Sequence, residues 1–140
     1  MFEPDRQQSR QMFFNAWKKH KEKQVLEPLE SLLVEIINLH PEYHRMLNNP
    51  DSTLDRDYLP ESGETNPFLH MGLHIAIREQ VSIDQPAGIR QHYQALLIKY
   101  QDVHTVEHKI MDCLVEMVWN SQKYNQLPDT ATYLNCISSL

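Results

Sequence analysis

Glycine is scarce in this chain: three residues among 140 (Gly63, Gly72 and Gly88), well under the usual share of roughly 7%. Cradling a phosphate needs several backbone amides free of Cβ atoms, and no two of these glycines are spaced for it. Dinucleotide-binding and P-loop sites are therefore excluded. No G-x-S-x-G elbow exists either, which removes the usual serine hydrolase. Cysteine is equally thin. Cys113 and Cys136 are too far apart for a C-x-x-C motif, and one pair is poor evidence of a disulfide scaffold. No apolar run reaches bilayer-spanning length, and residues 1–10 are polar and charged with no apolar segment behind them, so neither a membrane span nor a secretory signal is expected. Positive charge is in deficit. The formal net charge of −6 repels a phosphate backbone and argues against nucleic acid as the main partner. The expected compartment is the reducing cytoplasm.

Strand signals are also missing, since no run alternates with period two. Helical periods fill the chain instead. Asp5 is a plausible N-cap for a first helix over about 5–23, with Phe13, Ala16 and Trp17 on its apolar face and four lysines near its end. Pro28 opens a second helix, whose stripe is Leu29, Leu32, Leu33, Ile36, Ile37 and His40. Pro41 should break that helix and start a short one through about Leu47. Residues 48–66 carry no period and read as one long loop, either a lid or a solvated connector. Asn66 and Pro67 make a strong start for a third helix to about Val81, with Gly72 and Ala76 offering a flat packing face. Asp84 and Pro86 open a fourth helix, and Asp102 caps a fifth over about 103–125. That helix is apolar on more than one side (Val106, Ile110, Leu114, Met117 and Val118; Met111, Val115 and Trp119), which suits the middle of a bundle. Pro128 ends it, and a short closing helix follows. The expected fold is all-α, a single domain over 1–140 with a helical bundle of four long helices plus short helices.

What the chain does have is histidine, eight of them. Six form three H-x-x-x-H pairs: His40/His44, His70/His74 and His104/His108. Random placement of that many histidines gives about 0.4 such pairs, so three is on the order of a one-in-a-hundred accident. Residues i and i+4 of a helix share a face, so each pair can aim two imidazoles at one point. Imidazole suits iron, zinc, nickel and copper and is a poor ligand for magnesium or calcium. His70 and His74 share a stripe with Ile77, and His104 and His108 share a face with Met111 and Val115. Glu107, Glu79, Asp112 and Glu116 lie nearby as carboxylate ligands or as acceptors that fix imidazole tautomers. The His40/His44 pair is the one that Pro41 interrupts.

The pattern excludes several metal classes. H-E-x-x-H zinc proteases need Glu after the first His, where Met71, Pro41 and Thr105 stand here. Di-iron bundles of the ferritin type use Glu-x-x-His, which is absent, and no His is followed by Asp. A histidine-dominated site in a helical bundle is similar in kind to hemerythrin-type di-iron proteins. His70/His74 matches one element of that pattern, and His74 with Glu79 stands in place of its H-x-x-x-x-D, in a different order, so oxygen binding is not implied. In whole blocks, HPEYH (40–44), NPFLHMGLHIAIREQ (66–80), SIDQP (82–86) and HTVEHKIMDCLVEMVW (104–119) resemble a domain-of-unknown-function family of bacterial proteins. That resemblance implies a bacterial, cytosolic, helical protein and no particular activity.

The resulting expectation is a transition-metal site, iron or zinc and open to a di-iron form. Its ligands are His70, His74, His104 and His108 first, then His44 and His40, with Glu107 as the carboxylate. Catalysis is left open; a metal with vacant positions would activate water or dioxygen. The alternative is a metal-free helical interaction or adaptor domain whose histidines are core structure. No protein partner is named by the sequence, and a homodimer is the assembly to be tested.

Overall fold

A computed structural model describes residues 3–53, 56–58 and 66–140. Among these residues all regular structure is helical: α1 (Glu3–Lys21), α2 (Pro28–Asn38), a 3₁₀ turn (Pro41–Tyr43), α3 (His44–Leu47), α4 (Pro50–Thr53), α5 (Pro67–Ile83), α6 (Ile89–Tyr100), α7 (Val103–Lys123) and α8 (Thr130–Ser138). Five of these helices run to eleven residues or more (α1, α2, α5, α6 and α7). No described helix is long and apolar enough to cross a membrane. The chain groups into two compact units, Met1–Ile75 and Ala76–Leu140, so the division falls inside α5.

In the first unit, α1 begins at Glu3 rather than after Asp5. Pro4 can occupy a first turn because the N–H it lacks has no helical partner there. Phe13, Phe14, Ala16 and Trp17 of α1 form one core with Leu33, Val34, Ile36 and Ile37 of α2, Leu47, Phe68 and Met71. The α2 stripe is rotated from its expected position, with Val34 buried and Leu29 exposed. Pro28 takes the first turn of α2, and the Glu30 carboxylate accepts from the Glu27 amide at 2.9 Å. The expected loop 48–66 contains the helical turn α4, again with proline in its first position. The remainder of that loop, and with it the choice between lid and connector, lies largely outside the described residues. Asn66 caps α5 as its sequence position requires: its Oδ1 accepts from the amides of Phe68 and Leu69.

In the second unit, α6 packs on α7 and both pack on α8. Ile77, Ile89, Leu96, Val106, Ile110, Leu114, Tyr133 and Ile137 are buried. Asp84 Oδ1 accepts from the Gly88 and Arg90 amides and so opens α6, and Asp102 Oδ2 accepts from Thr105 N at the start of α7. The second apolar side of α7 is internal only at Met111. Val115 and Trp119 of that side are exposed, as is Val118 at the far end of the first side, so the helix is not buried all round as its apolar pattern suggests. Cys113 and Cys136 are joined as a disulfide with Cα atoms 5.8 Å apart. Their 23-residue separation hides a pairing that arises because α8 returns along α7.

The Gly72/Ala76 packing face is also absent at Gly72, where an added Cβ would meet no atom within 4 Å. Gly72→Ala should therefore stabilise the protein by about 0.4–1 kcal/mol through lost unfolded-state freedom. Gly88, held at φ 102°, should respond oppositely, because a Cβ there costs roughly 1–2 kcal/mol. Denaturant melts of the two alanine variants check both signs; a destabilised Gly72→Ala would restore the close-packing reading.

Candidate metal centre

Proline shapes the first histidine pair. The residue before proline is pushed out of the α region, and His40 accordingly leaves the helix at φ −128° and ψ 70°. Its ring turns back on α2, with Nδ1 at 2.7 Å from the Ile36 carbonyl oxygen. A carbonyl only accepts, so Nδ1 carries the hydrogen and neutral His40 presents its lone pair at Nε2. A ligating histidine is oriented in this way when its other nitrogen donates to a backbone carbonyl. His44, beyond the break, goes elsewhere. Its Nε2 donates to the Ile37 carbonyl at 3.0 Å, and its ring packs on Trp17 with centroids 4.5 Å apart. The 40/44 spacing does not converge on one point.

The 70/74 spacing does. Both residues lie on α5, and their rings meet His40, with centroid separations of 4.9 Å (His40–His70), 4.8 Å (His40–His74) and 5.0 Å (His70–His74). His40 and His74 are 1% and 0% exposed. His70 Nε2 lies 3.1 Å from His40 Nε2. On α7, His104 and His108 lie one turn apart and meet edge to face, with centroids 4.1 Å apart. One ring nitrogen from each of His40, His74, His104 and His108 lies within 4.8 Å of the others, so the four can hold a metal ion. His70 and His44 are outside this set of four.

Glu107 takes a different place from the one its sequence neighbours suggest. It is fully buried, but its carboxylate is engaged by Arg78 Nε at 3.0 and 3.3 Å and by the Tyr93 hydroxyl at 2.9 Å. Burial, with the Glu107 charge second, pushes the Tyr93 phenol well above its ordinary range, so it stays a hydrogen-bond donor. Glu79, Asp112 and Glu116 are exposed. Neither Arg78 nor Tyr93 is among the residues that the sequence singles out. The available signal was spacing, since Arg78 follows His70 and His74 at the next step of four along α5.

A family model described as a domain of unknown function (DUF1841) matches residues 5–139. No curated protein and no solved structure matches the chain.

The ion pair gives a test of its own. Removing Arg78 leaves a carboxylate buried without its cation, which costs about 3–5 kcal/mol, whereas replacing both partners by apolar groups of similar volume is near neutral. Arg78→Met should destabilise by that amount in urea unfolding, and adding Glu107→Leu should recover most of the loss. Additive losses in the double variant would show that the two side chains act separately.

Proposed function

This chain belongs to the DUF1841 family, and for it we propose a transition-metal-binding role. One ion is held by His40, His74, His104 and His108. The observation that carries the reading is the set of four ring nitrogens within 4.8 Å of one another, on side chains that are buried or half-buried. In a tetrahedral site with metal–nitrogen bonds of about 2.0–2.1 Å, neighbouring donors stand about 3.3 Å apart. Closing from 4.8 Å asks for ring shifts of about an ångström and a half at most, within reach of side-chain rotation. The Ile36 carbonyl already holds His40 in the tautomer that ligates through Nε2.

The donor set decides the chemistry. Four neutral imidazoles favour iron, zinc or copper over magnesium and calcium, and iron and zinc are the two we propose. Nothing in the donor set requires a second ion, so a di-iron form is the less economical version. When bound, the metal supplies Lewis acidity and a cross-link. A full set of four protein ligands leaves no open position and makes the role structural, while loss of one ligand to substrate or water would make it catalytic. Glu107 serves in this reading as the buried countercharge of Arg78 rather than as a ligand.

Untagged protein loaded with zinc(II) or iron(II) should retain about one metal per chain after dialysis. At a thousandfold excess over Kd, binding should raise stability by about 4 kcal/mol, and a chelator should abolish the gain. His74→Ala and His108→Ala should lose the metal. His20→Ala, His44→Ala and His92→Ala should keep it. No metal after loading with either ion, and unchanged melting with chelator, would leave the histidines as core structure in a metal-free interaction domain.

A further inference from the structure

Resting on the four-imidazole reading, we propose that His70 is a built-in competitor of the metal rather than one of its ligands. The argument follows from one carbonyl. Ile36 O can only accept, so His40 Nδ1 is the donor in their 2.7 Å bond, and the acceptor site of neutral His40 is Nε2. The group placed against that nitrogen is His70 Nε2, at 3.1 Å, with the two rings near perpendicular at 84°. The contact needs one hydrogen, and His40 Nε2 has none to give. His70 therefore donates its Nε2–H into the lone pair that the metal would use.

The same electron pair cannot serve both. A metal reaching His40 Nε2 must displace the His70 N–H, and His70, which is only half-buried, can turn toward water when displaced. His74 shares the face of α5 with His70 and lies as close to His40, with ring centroids 4.8 Å apart, yet it belongs to the set of four where His70 does not. The two histidines of one H-x-x-x-H pair thus take opposite parts: His74 ligates, and His70 occupies a ligating nitrogen until the ion arrives. The consequence is an affinity lowered by the value of one neutral hydrogen bond, about threefold to tenfold, which makes uptake and release easier than for four imidazoles alone.

The sign of one substitution tests this. Zinc(II) affinity is measured against a chromophoric chelator at pH 7.5 for wild type, His70→Ala and His70→Gln. His70→Ala removes the competitor and should bind zinc about threefold to tenfold more tightly, still at one ion per chain. His70→Gln keeps an N–H donor for His40 Nε2 and should bind like wild type. Weaker binding by both variants, with wild-type binding intact, makes His70 a ligand and overturns this inference while the metal site stands. A wild type that binds no zinc overturns the metal reading and this inference together. If His70→Ala folds poorly, nitrogen-15 resonances of the metal-free wild type decide instead. His40 protonated at Nδ1 and His70 at Nε2 supports the competition, and the reverse tautomers contradict it.

Discussion

Pro41 is the constraint on which the candidate site depends. It forces His40 out of the α2 helix, and a residue released from the helix can fold its ring back on the carbonyl of Ile36. Had the helix continued, His40 and His44 would have stood one above the other on a single face. Instead one imidazole is fixed against α2 with its tautomer set, and the other is committed to the Ile37 carbonyl and Trp17. A backbone restriction at one residue thereby decides which nitrogen of which histidine has a lone pair to offer.

The cost of burying polar groups explains the rest of the arrangement. A buried carboxylate is tolerable only with a cation and further donors, and Glu107 has Arg78 and Tyr93. That pairing occupies the Glu107 carboxylate, and the group that could hold an ion is made of ring nitrogens alone. Imidazoles gathered at one place suit a transition metal, which takes up nitrogen lone pairs.

What the sequence discloses is mostly local. Asn66–Pro67, Asp84 and Asp102 announce helix starts, because capping oxygens and prolines act within a few residues. The two unbroken H-x-x-x-H pairs were legible for the same reason. What it conceals is set by distant partners or by direction. Glu107 looked like a ligand because Arg78 and Tyr93 are 29 and 14 residues away in the chain. The bond between Cys113 and Cys136 depends on the return of α8 along α7. His70 had the better spacing and His40 the worse, yet His40 joins the set of four. The separate fates of His40 and His44 follow from where Pro41 turns the chain, which spacing alone does not encode.

X-ray absorption at the edge of the bound metal tests the central claim most directly, because it counts donors by element and distance. The account predicts about four nitrogen scatterers at about 2.0–2.1 Å, with the outer-shell pattern of imidazole rings and no sulfur. It also predicts that His74→Ala removes one of them or empties the site. A first shell dominated by oxygen, a sulfur at about 2.3 Å, or fewer than three imidazoles would contradict it.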